Sequence, residues 1–187
     1  MTRVLVGSVA AAAAMFLIGF IFFATPLNLL AYSVANDAQN AAVQTALAAN
    51  LHETGTYIIP WPMTADGTIL YGRGPVATVH YNSMGFSTAD MNAMLGGFIH
   101  MLVTAVLIAA ALSGIAVRVT GFADRARLVV LFSLAASLFM HLGEPIWYHH
   151  DWTHFIYLFV ADFAMFAVGG LVIAKWFLPQ AASATMQ

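Results

Sequence analysis

The sequence predicts a mainly α protein: a four-helix transmembrane bundle with a small extracytoplasmic α+β loop domain between helices 1 and 2. Three observations carry this. Of 187 residues, 61% are hydrophobic and only 7% charged, where soluble domains carry roughly 45–50% and about 25%. Four stretches each supply the roughly 20 mostly apolar residues that a membrane helix needs. The long segment between the first two carries cap, turn and strand patterns of its own. The same composition excludes disorder, which needs low hydrophobicity and high net charge. Six Lys plus Arg against eight Asp plus Glu give a net charge of −2, too few cations for a nucleic-acid footprint. With no cysteine, disulfides, thiolate metal sites and thiol catalysis are excluded.

The first span covers residues 4–24 and contains no charge. Arg3 followed by an apolar run, with Ser33-Val34-Ala35 beyond it, superficially resembles a secretory signal. Its apolar run exceeds the roughly 7–15 residues of a signal core, so a retained helix is expected. The other spans fall at residues 93–117, 128–147 and 155–177. The expected division is residues 1–26 as transmembrane helix 1, 27–92 as the loop domain, 93–178 as transmembrane helices 2–4 and 179–187 as a cytoplasmic tail.

Cations set the orientation. Arg3, Arg118, Arg125, Arg127 and Lys175 all fall on one side of a four-span chain. The other side holds only Arg73, with Asp37, Glu53, Asp66, Asp90, Glu144 and Asp151. Both termini are therefore expected in the cytoplasm, and the long loop on the far side, periplasmic if the cell is bacterial.

That loop is too long for a mere connection. Asn36-Asp37 is a plausible cap for a helix through about Asn50, with Val43, Leu47 and several alanines as a weakly apolar face. Two β-rich runs follow, at residues 56–59 and 76–81. Between them Asp66-Gly67 and Gly72-Arg73-Gly74-Pro75 read as turns, which predicts a short hairpin or small sheet. Tyr57, Trp61, Tyr81, Trp147, Tyr148 and Trp152 are expected to form an interfacial aromatic belt.

An N-terminal span followed by Leu51-His52-Glu53-Thr54-Gly55-Thr56-Tyr57-Ile58-Ile59-Pro60 resembles a loose family of small four-span bacterial inner-membrane proteins. The resemblance continues in Gly74-Pro75-Val76-Ala77 and in Gly169-Gly170-Leu171-Val172-Ile173-Ala174-Lys175. It implies the four-span layout and an inner-membrane location, and it carries over no functional residue. The His-rich stretch around His149 departs from the group.

Ionisable residues inside spans are costly and by default mark a site or a partner. At about 1.5 Å per residue, His100 lies about 12 Å in from the outer end of its span, His141 about 8 Å and Asp162 about 11–13 Å. The cytoplasmic half has no acid or histidine. Asp162 is expected to point into the bundle, towards His100 or His141. Above them lie His141-Leu142-Gly143-Glu144-Pro145 and His149-His150-Asp151-Trp152-Thr153-His154. His141 and Glu144 share a helix face at i,i+3, as do His150 and His154 at i,i+4 if the fourth span starts that early.

Three readings of these side chains stand, the third being quinone, lipid or proton handling. In the first, His100 or His141 donates to a carbonyl or to Asp162 and fixes helix register. In the second, His100, His141, Glu144, His154 and Asp162 hold a transition metal, or His100 and His141 hold haem b axially. No spacing with a known metal mechanism such as H-E-x-x-H occurs, and the first reading is preferred. His149 and His150 read as solvated turn residues, and His52 and His80 as structural. Gly96-Gly97 and Gly169-Gly170 permit close helix approach, preferentially within this chain. No phosphate loop, nucleophile elbow or Ser-His-Asp arrangement is present, which disfavours a hydrolase or kinase. The sequence thus points to a non-catalytic accessory or interaction subunit. Its expected partners are the lipid bilayer and other membrane-protein subunits, with no nucleic acid. A metal- or haem-binding membrane protein is the alternative.

Overall fold

The computed structural model describes residues 2–178; the segment expected as a cytoplasmic tail, 179–187, lies outside them. Along the chain come α1 (Thr2–Phe23), a 3-10 turn (Pro26–Leu30), α2 (Asp37–Asn50), β1 (Gly55–Ile59), α3 (Ala65–Arg73) and β2 (Ala77–Tyr81). Then follow α4 (Met91–Ile115), α5 (Phe122–His141), α6 (Gly143–Tyr148) and α7 (Trp152–Trp176). They divide into a helical unit, 2–33 with 91–178, and a second unit, Val34–Asp90. Four helices are long and apolar enough to cross a membrane: α1, α4, α5 continued through α6, and α7. The protein is consistent with an integral membrane protein on length and composition.

In the helical unit α7 packs along both α1 and α5, and α1 also packs on α4. Small residues make this possible. The buried face of α1 reads Gly7, Ser8, Ala11, Ala12, Met15 and Gly19, close to an i,i+4 repeat that lets backbones approach. On α7 two adjacent glycines look opposite ways. A methyl group on Gly169 would stand 2.7 Å from Met15 Sδ of α1, and one on Gly170 would stand 2.6 Å from Val129 Cγ1 of α5. The Gly169-Gly170 pair thus packs within the chain as expected, whereas nothing stands within 4 Å of a methyl placed on Gly96 or Gly97. That part of the close-packing expectation does not hold inside this chain.

Where no water reaches, helix ends must satisfy their own backbone groups. The last four carbonyls of α1 are all engaged. Phe20 O accepts from Ala24 N at 2.9 Å and Ile21 O from Thr25 Oγ1 at 2.6 Å. Phe22 O accepts from Tyr157 Oη at 2.7 Å and Phe23 O from Asn28 Nδ2 at 3.2 Å. At the far end of α4 the guanidinium of Arg125, 1% exposed, donates to Val119 O at 2.6 Å and Ala116 O at 3.1 Å. These carbonyls follow the last residue of α4, so the cation also stands near the negative end of that helix dipole. Arg125 therefore clamps α5 to the end of α4, and is no solvated loop cation.

The third span differs from expectation in its bounds. It starts earlier, at Phe122, and is interrupted at Leu142 between α5 and α6. Pro145 explains the break: it has no N–H for the carbonyl of His141, four residues back, and its ring crowds that carbonyl.

The second unit begins as expected. Asn36 caps α2 through a reciprocal capping box with Gln39, at 2.9 and 3.0 Å. β1 and β2 pair antiparallel, Gly55 opposite Tyr81 and Ile59 opposite Ala77, with Thr56 Oγ1 3.1 Å from His80 Nδ1 across the pair. His80 thus lies on β2 with a partner across the pair. Between the strands the structure differs from expectation: Asp66-Gly67 and Gly72-Arg73 belong to helix α3, and Gly74 caps its end. Thr64 caps its start, its Oγ1 accepting from Gly67 N at 3.0 Å. Gly74 ends it with φ 65°, a left-handed conformation that glycine adopts without steric cost. Gly67 is required by contact, since a methyl there would stand 1.9 Å from Trp61 O. It is also the only residue of the unit that is buried.

Candidate functional site: an interhelical histidine–aspartate pair

The buried face of α5 is a single i,i+4 stripe: Arg125, Val129, Ser133 and Ser137, with His141 one turn further on. It is the most polar face of the helix, and it lies against α7. The stripe carries His141 to Asp162 of α7, with Nε2 2.6 Å from Oδ2. The two side chains are 13% and 21% exposed. The contact is shorter than the roughly 2.9–3.0 Å of ordinary N–H···O bonds, as charge assistance produces. An ionised carboxylate can only accept, so Nε2–H then donates to it. An uncompensated carboxylate at the centre of a membrane helix costs about 2.5–3.5 kcal/mol even on insertion scales. The histidine offsets that cost.

The other predicted residues lie elsewhere. Glu144, on α6, does not continue the face of His141, because the helix breaks between them; its Oε2 stands 3.3 Å from His150 Nδ1. His150 is not a solvated residue: it is half-buried and stacked between Tyr148 and Phe155, ring centroids 5.6 Å away on both sides. His149 is exposed, with φ 55°. α7 starts only at Trp152, capped by Asp151 Oδ1 and Oδ2, which accept from Thr153 N and His154 N at 3.2 and 3.0 Å. His150 therefore lies before the helix and shares no face with His154. His154 Nδ1 donates to Ala31 O at 2.9 Å, tying α7 to the segment after α1. His100 is exposed on the outside of α4. The five residues thus come together at most in pairs, and among the described residues no group of three or more His, Asp or Glu side chains could hold a metal ion. Of the five, only His141 and Asp162 are brought together.

The pair can hold one proton between Nε2 and Oδ2. Along the stripe towards Arg125 the next polar side chains are Ser137, whose buried Oγ has no hydrogen-bond partner, and Ser133. This arrangement suits a fixed interhelical lock better than a relay. Arg125 and Tyr157 are the important residues that the sequence reading missed. The i,i+4 spacing from Arg125 to His141 was the available sign of the first; no local sign marks the second.

Compared with known proteins, the chain matches no family model, no curated protein and no solved structure.

Proposed function

We propose that this is a small bacterial inner-membrane protein, both termini cytoplasmic and the loop domain outside, that serves as a non-catalytic accessory subunit of a larger membrane complex. One observation supports the reading most: the second unit has no core of its own. Its sole buried residue is Gly67, while Trp61, Met63, Met84 and Phe86 are 55–77% exposed. Even α2 buries no residue; a groove of about 620 Å³ separates its Val43 and Leu47 from Val79 and Tyr81. Units of this size stay marginal when they cannot bury apolar surface, and contiguous exposed apolar residues mark interaction sites. The partner is a protein that covers this surface. The exposed Gly96 and His100 of α4 offer it a second contact within the bilayer, where small residues and hydrogen-bonding side chains join helices.

Purification from native membranes in a mild detergent tests this. A stoichiometric membrane partner is expected, and Trp61→Glu with Phe86→Glu should release it. A partner-free chain whose loop-domain amides are nonetheless protected overturns the proposal. Stoichiometric metal or a haem spectrum, lost in both His141→Ala and Asp162→Asn, would put the metal- or haem-binding reading in its place.

A further inference from the structure

The groove of the second unit runs along a strand edge. Three consecutive residues of β2, Val79, His80 and Tyr81, line it. Side chains alternate between the two faces of a strand, so a groove over one face would take only every second residue. The sheet has two strands and β1 occupies one edge of β2, which leaves the other edge for the groove. In an antiparallel pair, alternate residues turn N–H and C=O away from their partner. Among the described residues, no backbone hydrogen bond outside the β1 pairing reaches Val79, His80 or Tyr81. Edge strands are commonly guarded by lysine, proline or a bulge, and these three positions carry none of them.

The opposite wall is a helix. The i,i+4 pairs Val43–Leu47 and Gln44–Ala48 of α2 line it, one face of a helix that buries none of its residues. That wall restricts what enters. The sheet edge of a second copy brings its own neighbouring strand, which α2 obstructs, whereas a single extended segment has no such neighbour. Among the described residues the lining holds no Lys, Arg, Asp or Glu, so a charged side chain would lose water there without an ionic partner. Val43, Leu47, Val79 and Tyr81 offer apolar contact instead, and the Gln44 amide offers both donors and an acceptor to the backbone edge that faces the helix. Two strands alone are marginal in water, and a third strand or a packed helix makes such a sheet stable. An added segment supplies both.

We propose that the groove takes up an extended, uncharged segment of about six residues from a partner protein, added to β2 as a third strand and covered by α2. The inference rests on the reading of the second unit as a docking surface and names the mode of docking. Main-chain bonds to β2 give the affinity, and alternate side chains of the segment give the selectivity.

The test uses the full chain in neutral detergent and a capped, labelled hexapeptide copy of residues 54–59, which contains the β1 sequence that β2 already pairs with on its other edge. Fluorescence anisotropy should show saturable binding of one peptide per chain. On saturation, amide exchange should slow within Val79–Tyr81. Ala48→Trp, which fills the groove from the exposed helix α2, should weaken binding by about tenfold or more. Ala42→Trp, on the opposite face of α2, should leave it unchanged. A peptide with both Tyr57→Lys and Ile58→Lys, which puts a charge on each face of the added strand, should also bind about tenfold more weakly or worse. Absence of saturable binding, undiminished binding to Ala48→Trp, or equal binding of the two peptides overturns the proposal. So does a dimer of the chain that Ala48→Trp dissociates, which assigns the groove to a second copy. A partner that co-purifies from native membranes and survives Ala48→Trp overturns strand addition yet leaves the accessory-subunit reading standing, so the two fail separately.

Discussion

At the scale of single residues, the balance at Asp162 is decided by what its carboxylate touches. An amide accepts a hydrogen bond from His141 as a carboxylate does, without needing charge compensation. Asp162→Asn should therefore leave thermal stability in detergent within about 1 kcal/mol of wild type. His141→Leu removes the only donor that the structure shows on Asp162 and should cost about 1–3 kcal/mol; the double variant His141→Leu/Asp162→Leu should recover most of it. Equal losses for Asp162→Asn and His141→Leu would mean that charge itself is required. Arg125 is the harsher case, because its removal strands the carbonyls of Ala116 and Val119 where water is scarce. Arg125→Ala should lower stability by about 3 kcal/mol or more, while Arg3→Ala, on the exposed face of α1, should be neutral in the same melting assay. The pairing of Asp162 was legible in the sequence, since ionisable residues in spans are few and these two lie at similar depth. Arg125 was legible only through its i,i+4 spacing to His141, since a cation near a span end otherwise looks the same whether it meets solvent or a carbonyl.

At the scale of elements, close approach is what the glycines of α7 contribute. Gly170→Val puts a branched side chain where Val129 already stands 2.6 Å from the first added carbon. Overpacking of this kind costs about 1–3 kcal/mol, and the variant should melt lower and yield less folded protein. Gly96→Ala, with open space around it, should be at least as stable as wild type, given alanine's advantage of about 1 kcal/mol in a helix. A loss of partner on Gly96→Ala without a loss of stability would map the contact to α4. Sequence patterns located α1, α2, α4, α7 and both strands because periodicity, caps and β-branched runs are local properties. They failed for α3, where Asp66-Gly67 and Gly72 suggest turns. There Gly67 is fixed by its approach to Trp61 and the Thr64 cap, and Ile69-Leu70-Tyr71 complete a helix. They also missed the break at Leu142, although Pro145 was in plain view.

For the whole molecule, the four long helices and the single intervening unit fix a definite expectation for topology. Reporters inserted at Val117, which is 88% exposed, and at Asp66 should report opposite sides of the membrane. The same side for both would refute the orientation drawn from the arginines. Amide exchange should divide the chain just as sharply. The packed faces of α1, α5 and α7 should exchange slowly, the coreless unit much faster, and its β1–β2 pair should slow when the partner is present. Uniform exchange throughout would show that the second unit has a core not evident in its burial. What composition could not disclose was the openness of the bundle: counting spans says how many helices there are, and not that α4 and α5 stand apart.

The central place of α7 has a consequence for biosynthesis. Of the described helices it is the last to leave the ribosome, yet it supplies the surface on which α1 and α5 settle and the carboxylate that meets His141. Until it arrives, α5 is held to α4 by little more than the Arg125 clamp, whereas α1 already has α4 to pack on. A chain that lacks α7 is expected to expose His141, Val129 and Met15 of α1 together, and the arrival of α7 covers all three.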